Sequence, residues 1–288
     1  MARTTGLFQA PEDLQTLYED IPPHLRLPLQ EWVGQALRNI DGSNSHAGAR
    51  TAFGAYDLQF RPSDPLLMRL ERRGSWQEVI AALNDREFLQ LIDWCLLPEV
   101  WSNLRRDLDT FLLKGGSAWT VYDRTDENDN DEFGLERRVP EGVQVAAEAT
   151  IASAGHAGER LAQAWHHAFG VNPNPSAAYR DAIRAVEDAM KNAVSPNDNT
   201  ATLGKMLATI ESQKNWTLPL QRTDPRAEPA VVIVGMLRAL WVGQADRHGG
   251  DPAPALAITQ EAAETAVMLA VPLVHWFTSG HAARRSGT

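Results

Sequence analysis

With one cysteine in 288 residues, the chain has no partner for an internal disulfide. Cys95 sits in the apolar run Leu91-Ile92-Asp93-Trp94-Cys95-Leu96-Leu97, where a thiol is expected to act as inert core filler. Such cysteine usage fits a reducing cytoplasm. Long apolar runs are missing too. The most apolar window, residues 266–277, is interrupted by Pro272 and falls short of the ~20 residues that a membrane-spanning helix needs. Residues 1–8 lack the sustained apolar region of a secretory leader, so the expectation is a cytoplasmic protein with no membrane segment. Positive charge is scarce: 27 Lys and Arg stand against 37 Asp and Glu, for a net charge of −10 and a pI near 5.3. That excludes nucleic-acid binding through bulk charge and confines any such contact to a local basic patch. No internal repeat is visible.

What is present is ordinary globular composition, 43% hydrophobic and 22% charged, over a length sufficient for a large core or two domains. Residues 11–20 read as a short helix. Residues 28–38 read as another, with Leu29, Trp32, Val33, Ala36 and Leu37 on one face. The stretch 41–65 is rich in Gly, Ser, Asn and Pro and reads as loop, with a short strand at 56–60. A helix over 76–96 and another begun at Pro98 follow, the latter ended by Gly115-Gly116. The pattern then alternates. Residues 118–122 and 133–139 read as the strands of a hairpin around the acidic loop 123–132. Asp126, Asn128 and Asn130 have the spacing of the first ligands of an EF-hand loop. Asp131 stands where that motif needs Gly, however, so a solvated loop is expected and no metal.

Beyond Pro140 the chain reads as helical throughout. Helices are expected over 143–169, from a cap at Ser176 to about 193, after a cap in 197–200, over 230–247 and over 259–278. The fold class is therefore mainly α with a small β-hairpin. Its parts are a mostly helical N-terminal region (1–114), the hairpin (115–140) and a C-terminal helical bundle (141–288). His166 and His167 are adjacent and point to different faces, without the clustered ligands of a metal site.

One segment carries chemistry. The helix that includes Arg238 ends in Arg247-His248-Gly249-Gly250. His titrates near neutrality and suits proton transfer, while an adjacent Arg suits an anionic phosphate. The plainer reading is a helix C-cap, with a basic last turn, then Gly, then Pro252. Glu187 and Lys191 likewise read first as an ordinary i,i+4 helix pair.

Three features resemble a known family: the order of the last helices, the segment Ala185-Val-Glu-Asp-Ala-Met-Lys-Asn-Ala193, and the His248-Gly249 ending followed by a Pro-containing loop. The hairpin segments Gly116-Ser-Ala-Trp-Thr-Val and Gly134-Leu-Glu-Arg-Arg-Val share in the likeness. The family is the C-terminal domain of bacterial abortive-infection, phage-resistance proteins, within the HEPN (higher eukaryotes and prokaryotes nucleotide-binding) superfamily of helical bundles. The resemblance covers roughly residues 115–280. It implies a cytoplasmic phage-defence protein, paired as a homodimer, that meets RNA, a nucleotide, or a phage or host protein. It implies no cofactor.

Many members of the superfamily are metal-independent ribonucleases built on an Arg, a polar residue (commonly Asn) and a following His. The His takes the proton of a ribose 2′-hydroxyl and the Arg stabilises the phosphorane. Here His248 matches the family His, but counting back to the Arg-Asn pair lands on Trp241 and Val242. Arg247 is the better surrogate and Arg238 a distant one; Glu187 and Lys191 occupy positions where the family carries Glu and Lys. Arg38-Asn39 before His46 is a weaker match, with a surface loop between. Three functions therefore stand open: a ribonuclease with a degenerate motif, a non-catalytic HEPN-like binding module, and an adaptor that recognises its partner through N-terminal tryptophans.

Overall fold

A computed structural model of the chain describes residues 17–41, 46–97, 100–125, 130–198, 200–221, 224, 226–243 and 257–285. Two compact units divide it, Met1–Arg138 and Val139–Thr288. Among the described residues the protein is mostly helical, with one long antiparallel hairpin.

In the first unit, α1 (Pro23–Asp41) buries Leu25, Leu29, Trp32, Val33, Ala36 and Leu37, the face its sequence period marks out. The expected helix over 11–20 is not seen at 17–20; there Tyr18 runs extended and bridges Ser117, and 11–16 lie outside the described residues. The expected loop and strand over 41–65 are replaced by α2 (His46–Phe60). Its buried Ala49, Ala52, Phe53 and Tyr56 recur at helical spacing, and packing against α1 outweighs the weak helix propensity of its Gly, Thr and Tyr residues. Next come α3 (Leu66–Arg73), α4 (Trp76–Ala81), α5 (Asp85–Trp94) and α6 (Ser102–Lys114). The single helix expected over 76–96 is thus two. The break falls where the Asn84 side chain accepts from the Glu87 N–H and the Glu87 carboxylate accepts from the Asn84 N–H, a reciprocal cap. Pro98 lies outside the described residues, and α6 starts at Ser102.

Strands β1 (Trp119–Thr125) and β2 (Asp131–Arg137) pair antiparallel, with Val121 opposite Leu135. They reach further into the acidic stretch than alternation suggests, because Arg124 faces Glu132 and Thr125 faces Asp131 across the ladder. Two of the expected EF-hand positions, Asp126 and Asn128, lie outside the described residues. Both outer edges of the ribbon are covered. Asp109 of α6 accepts the Val121 N–H at 3.2 Å, and Asp93 of α5 accepts the Leu135 N–H at 2.7 Å. Glu136, with no exposed surface, is held by Arg124 at 2.5 Å.

The second unit holds α7 (Glu141–Ser153), α8 (His156–Phe169), α9 (Pro175–Val194), α10 (Leu203–Gln213), β3 (Trp216–Thr217), α11 (Pro229–Val242), α12 (Gln260–Thr278) and β4 (Ala283–Arg284). The helix expected over 143–169 breaks at Gly155, whose φ of +54° lies in the region that glycine tolerates. Asn174 caps α9 in place of Ser176, accepting the Ala177 N–H at 3.1 Å ahead of Pro175. The short pair β3–β4 ties the segment after α10 to the end of the chain, and its two residues a strand leave no readable alternation. Helix α9 is central, packed by α8, α12 and α10. Its second buried stripe of Ala178, Ala182, Ala185 and Ala189 lets those neighbours come close. No helix among the described residues is long and apolar enough to cross a membrane.

Candidate functional site

Helix α11 leads to the Arg-His turn. Its buried Ile233, Leu237 and Leu240 face the core. The Tyr179 hydroxyl of α9 donates to the Leu240 carbonyl at 3.0 Å, fixing the end of α11 to the central helix. Arg247 and His248 lie in 244–256, outside the described residues. The helix expected over 230–247 is described to Val242, with Gly243 as its C-cap.

The two positions that would carry the family's Arg-Asn pair have other roles. Val242 is exposed. Trp241 packs on the core and lies against Gly204 in the first turn of α10, where a Cβ would meet the indole Nε1 at 2.9 Å. Glycine at 204 is what allows this approach.

Arg238 projects to the Glu211 carboxylate of α10, in a pair open to solvent on the arginine side. Glu187 of α9 accepts the Leu203 N–H at 2.6 Å and so caps α10 from another helix, because Thr202 makes no side-chain cap. The expected cap from 197–200 is not formed; Asp198 instead accepts from the Thr200 N–H and hydroxyl. Glu187 and Lys191 do not form the expected pair either. Lys191 donates to Asp188 at 2.7 Å, the nearer carboxylate on its own face. Leu203 and Glu211 are separated by ~12 Å of helical rise, so Glu187 and Arg238 engage opposite ends of α10. The structure does not bring them together.

Sequence reading missed a different cluster. Asp181 of α9 is buried, with 3% of its surface exposed, and three basic side chains converge on it. Arg180 donates from Nε and a terminal nitrogen to its two oxygens at 3.1 and 3.2 Å. That bond raises the Arg180 guanidinium above its ordinary pKa. His167 of α8 approaches at 3.7 Å and Arg184 at 3.8 Å. The available signal was a carboxylate interrupting the alanine stripe, a place where a charge needs partners. The weaker N-terminal match is not assembled among the described residues: Arg38 and Asn39 fall near the end of α1, His46 opens α2, and 42–45 lie outside them. Among the described residues no group of His, Cys, Asp and Glu is arranged to hold a metal ion. No protein-family model, curated protein or solved structure matches this chain.

Proposed function

We propose that this chain is an abortive-infection-like phage-defence protein whose C-terminal unit is a HEPN-like bundle serving as a non-catalytic binding module. The observation that supports this most is Trp241. Where RNA cleavage by the family's chemistry needs a cation against the phosphorane, the chain has an indole packed into the seam between α11 and α10. The other cation on that helix, Arg238, is engaged by Glu211, and Glu187 is engaged at the start of α10. Neither contributes to a shared centre. The proposal includes a homodimer in the cytoplasm, without cofactor.

A second reading, an adaptor that recognises its partner through an N-terminal tryptophan, is favoured by Trp101, which is 67% exposed ahead of α6. One set of measurements tests both. Purified chain is incubated with total RNA, with and without chelator, as wild type and His248→Ala; the same variant and Trp101→Ala are scored for protection against phage in cells. We expect no cleavage from either protein and full protection from His248→Ala. Loss of protection with Trp101→Ala points to the adaptor. Cleavage that persists in chelator and collapses in His248→Ala overturns the non-catalytic reading and makes Arg247 and His248 the working pair.

A further inference from the structure

The seam between α8 and α9 carries a surplus of positive charge on an acidic protein. Two ion pairs cross it, His167 to Asp181 and Arg160 to Asp188. On each helix their members are seven positions apart, 160 to 167 and 181 to 188, so the pairs repeat ~10 Å along antiparallel helices. Lys191 joins Asp188 from the next turn, and Arg180 and Arg184 join Asp181. Four permanent cations (Arg160, Arg180, Arg184 and Lys191) thus stand against two carboxylates, leaving an excess of two, with His167 between them.

That excess is more than Asp181 needs. A buried carboxylate must be paired, and the two-pronged bond from Arg180 already does so. Arg184 and His167, at 3.8 and 3.7 Å, lie beyond hydrogen-bond distance. The Arg180 and Arg184 side chains remain 48% and 49% exposed, and His167 is a third exposed. Asp181 therefore acts as a buried anchor that gathers donors whose outer edges face solvent. Guanidinium forks suit phosphate oxygens. Arg180 to Lys191 spans ~16 Å of helix, a track suited to a regularly charged strand rather than to a single phosphate.

We propose that this seam binds the phosphate backbone of single-stranded nucleic acid, through Arg180, Arg184 and His167, with Arg160 and Lys191 continuing the track. The site lies on α8 and α9, away from α11, and does not depend on the reading of His248. Its test is binding rather than cleavage. Fluorescence anisotropy follows a labelled mixed-sequence RNA oligonucleotide titrated with the full chain at 50 to 200 mM salt, with adenosine monophosphate and an acidic peptide as competitors. Contacts to ~3–4 phosphates on a single strand predict a roughly 20- to 50-fold weakening across that salt range. Arg180→Gln/Arg184→Gln weakens binding about tenfold or more and reduces the slope of log affinity against log salt by ~1.4, at ~0.7 for each contact removed. Arg184→Gln alone, which removes no hydrogen bond to Asp181, reduces the slope by half as much. The Lys counterparts at both positions retain most of the affinity. Absence of saturable binding at 50 mM salt overturns the proposal, as do unchanged slopes in both Gln variants. Competition by the mononucleotide or the peptide as effective as that by unlabelled RNA overturns the strand as occupant.

Discussion

Single side chains carry much of the specificity of this fold, and several work far from where their sequence neighbours suggest. Asp93 is an example. Burial raises its pKa from 3.8 to about 6, against the opposing hydrogen bond from the Leu135 N–H. Cys95 nearby is pushed up as well, first by burial and then by the Asp93 charge, and is an inert thiol in the core. Because the folded carboxyl holds its proton more tightly than the unfolded one, Asp93 favours folding at low pH. That contribution is complete below the unfolded value and is lost as pH rises towards 6. Relative to Asp93→Asn, the wild type should lose about 3 kcal/mol of unfolding free energy between pH 4 and pH 6, at about 1.4 kcal/mol per pH unit. Urea titrations followed by tryptophan fluorescence check this, and parallel pH curves for the two proteins contradict it. None of this was legible in the sequence. Asp93 reads there as one polar residue in an apolar helix, and only the edge of β2 placed against it explains its state. Glu187 makes the same point: its spacing to Lys191 is that of a helix pair, yet a free helix start nearby holds it instead.

At the level of elements, apolar period located most helices, and local backbone chemistry decided where they stop. The face of α1 and that of α9 were readable because their large residues repeat at helical spacing. The break between α4 and α5 was readable in principle, since Asn84 and Glu87 have the spacing of a reciprocal cap, but the apolar residues on either side mask it. Replacing Asn84 with Ala removes that cap and should lower stability by ~1 kcal/mol, while Asn84→Asp keeps most of it. Chemical denaturation of the three proteins measures the difference, and an unchanged Ala variant contradicts the role. Helix α2 is the opposite case. Its Gly- and Ala-rich composition reads as loop when isolated, and it is helical because α1 and α3 provide a surface for its small residues.

At the scale of the whole molecule, the hydrophobic core of the second unit is built from residues between Val139 and Ala282, with no contribution from the first. We therefore expect residues 139–288, produced alone, to fold to a helical protein with a cooperative thermal transition, measured by circular dichroism; a non-cooperative or coil-like spectrum contradicts it. A chain with few cations, one thiol and no long apolar run was bound to be an acidic, disulfide-free helical protein, because charge, redox chemistry and hydrophobic period are properties of residue order alone. The hairpin was equally determined by alternation and by the polar residues between its strands. Only tertiary structure decided which charged residues meet. Asp181 gathers Arg180, Arg184 and His167, whereas Glu187 and Arg238 part to opposite ends of α10. The reason is physical: a charge's partner is set by distances through space and by the cost of leaving it buried alone, and neither is written in linear spacing.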